Sequence, residues 1–323
     1  MSRVLVLAAV LVATAAQATT QVHYVMGTFL RVVVDDDVDL STFDGCFAEA
    51  RALDRMLSRF DPASELVRLN DAGGGLASEP FRNVLGQALA LGTATGGAFD
   101  VSVGAATALW RTAAAVPDAR AVSAARASIG RVAVDGERVA LGAGTWLDFD
   151  GFAKGVAVDA CVTALRRVGV TRALVSFGES SLYGLGAPRG ADAWTIDVRG
   201  PDPGVVVARL RLRDRGLAVS SVFGGAGSGA NAHGHVVDPA SGRPLRDDVT
   251  SVVVAPRAAD AEAWAKAVLV RGPEGVGIGE RADGIQAARL GRDHAAIGRA
   301  MRAAGILRVL ADARPLDGEA ELR

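Results

Sequence analysis

Residues 148–159 read Asp148-Phe149-Asp150-Gly151-Phe152-Ala153-Lys154-Gly155-Val156-Ala157-Val158-Asp159. The apolar pair Trp146-Leu147 before them fits the end of a strand. Asp150 then has the chemistry of a helix N-cap, and the apolar spacing predicts a helix over 150–168 that stops at Gly169. Gly151 and Lys154 fall in its first turn. A helix start offers unpaired N–H groups and a partial positive charge, so glycine and lysine there suit an anion such as phosphate. The spacing differs from the longer Gly-x4-Gly-Lys-Ser/Thr of a P-loop.

Working outward, Ala173–Phe177 is a short apolar strand. Further strands are expected at Trp194–Val198, Val205–Leu212, Leu217–Ser221 and Thr250–Ala255. Towards the N-terminus, Val22–Val34 reads as strands broken at Gly27, and Gly130–Val139 as a hairpin turning at Asp135-Gly136. Helices are expected over Ser41–Ser58, Ser78–Thr95, Ala258–Val270 and His294–Ala304, with a last strand at Ile306–Leu310. No repeat or low-complexity linker divides the chain. Helices mixed irregularly with hairpin-like strand pairs predict an α+β fold of mixed, largely antiparallel sheets flanked by helices. Residues 19–323 are expected to form one compact domain.

Val4–Ala16 is almost wholly apolar after Arg3, and Ala16-Gln17-Ala18 matches a small-x-small cleavage pattern. Residues 1–18 therefore read as a cleaved signal peptide. The run is short of the roughly 20 residues of a membrane span, so no transmembrane span is expected in the mature protein. That places the protein in the periplasm, or otherwise outside the cytoplasm. A formal net charge of −1 supplies no basic face for nucleic acid. Cys46 and Cys161 are the only cysteines; an oxidising compartment permits a disulfide, and apolar surroundings suit a buried thiol equally well.

Of 35 basic side chains only Lys154 and Lys266 are lysines. A compact ammonium and a planar guanidinium are not equivalent, so the two positions stand out. Gly225–Ala230 imitates a dinucleotide-binding glycine pattern, but the residues after it do not read as the helix that pattern needs. Phe223–Gly234 reads as a Gly-rich loop, with His233 and His235 placed for one strand face and no third metal ligand near.

Six segments, in order, resemble the FAD:protein FMN transferase (ApbE) family. They are Met26-Gly27-Thr28; Leu53-Asp54 through Ser58–Leu66 to Leu69-Asn70; Gly96–Gly104 with Leu109-Trp110; Asp148–Asp159; Ser220-Ser221; and His235-Val-Val-Asp238-Pro239 with Gly242. The resemblance implies a central flavin-binding cleft, FAD as substrate and Mg2+ on its pyrophosphate. It also implies transfer of FMN to a Ser or Thr hydroxyl of a redox partner protein, with release of AMP. By the same resemblance His235 and Lys154 are the candidate catalytic groups. Met26, Phe99, Asp100, Asp150, Lys154, Gly155, Asp159, Gly178, Glu179, Ser221 and Lys266 are candidates for holding the dinucleotide, and Ala153 and Glu262 for holding the metal.

Two segments depart from the family pattern. Lys266 stands where the metal-binding helix carries a Thr, and Glu262 where it carries an Asp. An ammonium only donates hydrogen bonds and repels a cation. Lys266 can be a plain i,i+4 partner of Glu262, a substitute for the metal, or a sign that the site holds flavin without turning it over. Ser176-Phe-Gly178-Glu179-Ser180-Ser181 departs from an Asn-x-Gly-Gly-Asp block and adds a negative side chain. FAD hydrolysis to FMN and AMP, and flavin binding without catalysis, are the alternatives to transfer.

Overall fold

The computed structural model describes residues 18–112, 115–199, 205–222, 234–246, 249–272, 284–290 and 314–315. Strands β1 (Thr19–Val25) and β2 (Thr28–Val34) open the chain, and α1 (Asp44–Leu57) follows a short 3-10 turn. Next come α2 (Glu65–Ala72), β3 (Gly74–Leu76), α3 (Glu79–Ala94), α4 (Gly104–Thr112), α5 (Ala119–Ala127), β4 (Val132–Asp135) and β5 (Arg138–Leu141). After α6 (Ala153–Arg167) lie β6 (Ala173–Phe177), β7 (Ser181–Leu185), β8 (Trp194–Arg199), β9 (Val205–Leu212) and β10 (Arg215–Ser221). Short β11 (Val237–Asp238) and β12 (Arg243–Pro244) precede β13 (Thr250–Ala255), α7 (Ala258–Arg271), β14 (Gln286–Leu290) and β15 (Arg314–Pro315).

The main sheet runs β1-β2-β6-β7-β10-β13-β14, and every neighbouring pair in it is antiparallel. Alternate side chains of a strand leave opposite faces of a sheet, and here both faces are covered. Val32, Val175 and Phe177 pack under α1 and α6, whereas Val33 and Leu174 meet Trp194, Ile196 and Leu210 of the β8–β9 ribbon. Two-sided burial explains why β6 is apolar at every position but Ser176, which is itself buried. The expected α+β, largely antiparallel architecture is what the chain adopts.

Cys46 of α1 and Cys161 of α6 form a disulfide across 115 residues of chain, which settles the choice between thiol and bridge. Several boundaries differ from expectation, among them the helix expected from Ser41, which begins as α1 at Asp44. Trp146 makes only an isolated bridge to Val103 and ends no strand. Helix α6 begins at Ala153 with Phe152 as its N-cap, and Asp150 does not cap it. Asp150 is instead engaged by Arg59, a tertiary partner that outcompetes the local cap. The expected signal segment, the loop Phe223–Ala232 with His233, the helix His294–Ala304 and the strand Ile306–Leu310 lie outside the described residues. Among the described residues no helix is long and apolar enough to cross a membrane.

Candidate functional site

One end of the main sheet gathers turns and strand ends of several elements. The β1–β2 turn at Met26-Gly27, the β6–β7 turn at 178–180 and the C-terminal residues of β10 share that end, because β2 pairs with β6, β6 with β7, and β7 with β10. Both turns use left-handed backbone, at Met26 (φ 48°), Gly27 (φ 74°), Gly178 (φ 58°) and Glu179 (φ 55°). The two-residue hairpin Met26-Gly27 suits a type I′ turn. Met26 and Glu179 hold conformations that side chains rarely adopt, which costs on the order of 1–3 kcal/mol each and is found mainly where surrounding structure enforces it. Asp54 accepts from the Met26 N–H at 3.2 Å, and Phe29 C=O accepts from the Gly178 N–H at 2.9 Å.

Helices α6 and α7 bring two ammonium groups to this end. Gly155 allows their close approach: a Cβ there would stand 2.7 Å from the Ala258 carbonyl oxygen and the Ala259 Cα. One turn later on the same face, the Asp159 carboxylate accepts from the N–H groups of Ala258 (2.8 Å) and Ala259 (3.0 Å). It thereby caps α7 from outside, as an anion at a positive helix end should. With the helices so locked, Glu262 on α7 lies between Lys154 and Lys266. Lys266 Nζ donates to Glu262 Oε2 and, at 2.9 Å, to Ser220 Oγ. Lys154 Nζ donates to Ser180 Oγ and stands 3.9 Å from Glu262 Oε1.

The Glu262 side chain is 1% exposed, while those of Lys154 and Lys266 keep 26% and 17%. Burial alone would raise the Glu262 pKa; Lys266 and Lys154 outweigh it and hold the carboxyl below its usual range, hence ionised. Lys154 is held below the ordinary lysine value by burial, with Glu262 opposing and Lys266 reinforcing the shift. The cluster carries two positive charges and one negative. His235 keeps an open edge to solvent, yet the surrounding protein, then Lys266 and Lys154, hold its imidazole below the usual pKa. An imidazole kept neutral is an available base at neutral pH.

Several expected ligands have other duties. Asp159 caps α7 and Gly155 is a helix-crossing contact, so neither needs a ligand to account for it. Phe99 is 5% exposed and packs against Phe152 in the core. Asp100 accepts from the N–H and hydroxyl of Ser102 and borders a separate hollow of about 380 Å³ lined also by Arg126, Gly130 and Pro239. Ser221 points to the sheet face away from the lysines, where Thr250 donates to it at 3.2 Å. Strand alternation gives its neighbour Ser220 the contact with Lys266. Met26, Gly178, Glu179, Lys154, Lys266, Glu262 and His235 are brought to one region. Ser180 and Ser220 were missed, although both lie inside quoted motifs. Asn70 was quoted without a role; it donates to the Leu147 C=O at 2.9 Å and accepts from its N–H at 2.8 Å, fixing the loop that leads into α6.

The donors do not suit a divalent cation. Magnesium needs a near-octahedral cage of oxygens. Glu262 Oε2 is taken by Lys266, Ala153 offers at most one backbone oxygen, and no group of three metal-binding side chains occurs among the described residues. A dication about 4 Å from an ammonium would be repelled by roughly 8 kcal/mol at an effective dielectric near 20.

Residues 26–288 match the model of the ApbE family. This chain belongs to the ApbE family. The FAD:protein FMN transferase of Treponema pallidum (strain Nichols) is 30% identical over 292 residues, 79% of each chain. That of Klebsiella pneumoniae (strain 342) is 29% identical over 289 residues, 80% of each. Among solved structures, the ApbE protein of Thermotoga maritima has a TM-score of 0.78 at 23% identity, covering 84% of this chain and 94% of that one. Flavin transferase ApbE from Vibrio cholerae gives 0.74 at 22%, covering 85% and 94%. The structural likeness concerns the fold; the ApbE assignment stands on sequence.

Proposed function

We propose that this ApbE-family chain is an exported FAD:protein FMN transferase: it takes FAD and moves FMN onto a Ser or Thr hydroxyl of a partner redox protein. The acceptor oxygen attacks the phosphorus on the FMN side of the pyrophosphate, forming a phosphoester. The bond from that phosphorus to the bridging oxygen breaks, and AMP leaves with its electrons. The acceptor proton passes to His235, which burial first, and then the charges of Lys266 and Lys154, keep unprotonated beforehand. Lys154 and Lys266 meet the phosphate charge, and the N–H groups at the start of α6 face the same anion.

The observation that carries this reading is the placement of both lysines on Glu262, at the sheet end that carries the Met26 and Glu179 turns, with their charges felt by the His235 imidazole. Residues 19–323 act as one domain after loss of the signal peptide. Export accords with the Cys46–Cys161 disulfide, since such bonds persist outside the reducing cytoplasm.

The test is incubation with FAD, with and without a redox acceptor protein, followed by chromatography of nucleotides and in-gel flavin fluorescence. AMP together with a fluorescent acceptor band is expected. AMP with free FMN and no labelled protein would instead identify a pyrophosphatase, and intact bound FAD a flavin carrier.

A further inference from the structure

We propose that Lys266 is the resident cation of this site: its ammonium binds the FAD pyrophosphate where a divalent ion would otherwise sit, and the chain binds and uses FAD without metal. The proposal rests on the FAD reading above and deepens it.

Three features show a built position rather than a loose surface lysine. The head is held twice, by Glu262 and by Ser220 Oγ at 2.9 Å. The stem runs beneath the loop before α6, where a Cβ on Gly151 would come within 3.3 Å of Lys266 Cε. The carboxylate that orients it is almost wholly buried, with the Ser181 hydroxyl beside it and Lys154 Nζ 3.9 Å from its Oε1.

Two ammoniums against one carboxylate leave +1 facing a pyrophosphate diester, which carries two negative charges, so the loaded site would carry −1. Adding a dication would place three net positive charges in a partly buried site whose one acidic group is already engaged. An ammonium gives up the geometric demands of a metal and supplies one positive charge where the metal supplies two. It donates hydrogen bonds and accepts no lone pair, so positioning by Glu262 and Ser220 carries more of the burden.

The experiment is a flavin-fluorescence titration of the purified chain with FAD, in excess EDTA and again in excess Mg2+, alongside AMP release in both. Wild-type affinities should agree within about twofold between the two conditions. Lys266→Met, which keeps the stem and loses the charge, should bind about tenfold or more weakly in both. Lys266→Thr should recover affinity in Mg2+ and lose it in EDTA.

A wild-type affinity that falls about tenfold in EDTA overturns the proposal, as does wild-type-like binding by Lys266→Met. If the variants fail to fold, the wild-type comparison decides alone. With a redox acceptor protein added, metal-indifferent FAD binding without AMP release would refute transfer and metal-free use of FAD, and leave only the binding of the pyrophosphate by Lys266 standing. Absence of FAD binding in both conditions would remove both.

Discussion

Glu262 and Asp197 are both buried carboxylates with basic partners, and they do opposite things. Asp197 on β8 is 3% exposed and takes a two-pronged contact from Arg209 on β9, at 2.6 and 2.7 Å. One negative charge meets one positive charge in matched geometry, and the pair fastens two strands. Glu262 is equally buried but has two ammoniums, neither of them satisfied by it alone. What remains is positive charge aimed at the open end of the sheet. Burial of an ion pair does not mark a functional site; an unbalanced charge held in place does.

The largest expected effect is on chemistry next to the unbalanced cluster. His235→Ala should lower the transfer rate by about 100-fold or more while leaving FAD affinity nearly unchanged, as read by AMP release and flavin titration. Full activity in that variant would remove the histidine from the mechanism. At the balanced pair the effect should be on stability alone. Arg209→Met strands Asp197 without a counter-ion and should cost about 3 kcal/mol in urea unfolding, with FAD binding unaffected. Equal losses of flavin affinity at both sites would erase the distinction.

Asp148 offers a third kind of balance, with negative charge in excess. Burial first, then repulsion from Asp150, push its carboxyl up to about 6, against the Asp150 N–H and Arg59. Because the folded form holds this proton more tightly than the unfolded chain, stability should fall as pH rises from about 4 to about 6. A loss of roughly 2 kcal/mol is expected across that window, and Asp148→Asn should flatten it in denaturation at several pH values. The smallest effect is a shift of the acid limb of activity. With Lys266→Met the field on His235 weakens, so its pKa rises and the limb should move to higher pH. An unmoved limb would mean that the two groups are not coupled.

Much of this was legible in the sequence where local rules govern. Ser78 caps α3, the Asp135-Gly136 hairpin forms, and Lys266 lies four residues after Glu262 as helix geometry requires. Illegible features depended on partners distant in the chain. Arg59, 91 residues before Asp150, draws its carboxylate away from the helix start. Gly155 and Asp159 look like ligands until α7 is seen to cross them. The short helices α2, α4 and α5 went unread because each is only two to three turns long and leans on tertiary packing. Ser220 could have been preferred to Ser221 by following the alternation of Ala218 with Ala261 and Ala265 of α7. Nothing in residue spacing could bring Cys46 to Cys161.

That bridge has a practical bearing on every experiment above. Cys161 lies two helical turns beyond Lys154 on α6, so the sulfur–sulfur bond anchors the same rod that presents one of the amines. Material produced in a reducing host would have that rod seated by packing only, forgoing about 4–5 kcal/mol of restraint on the unfolded chain. A partly oxidised batch would then mimic a damaged flavin pocket, and counting free thiols before each assay would tell a weak variant from an unfinished molecule.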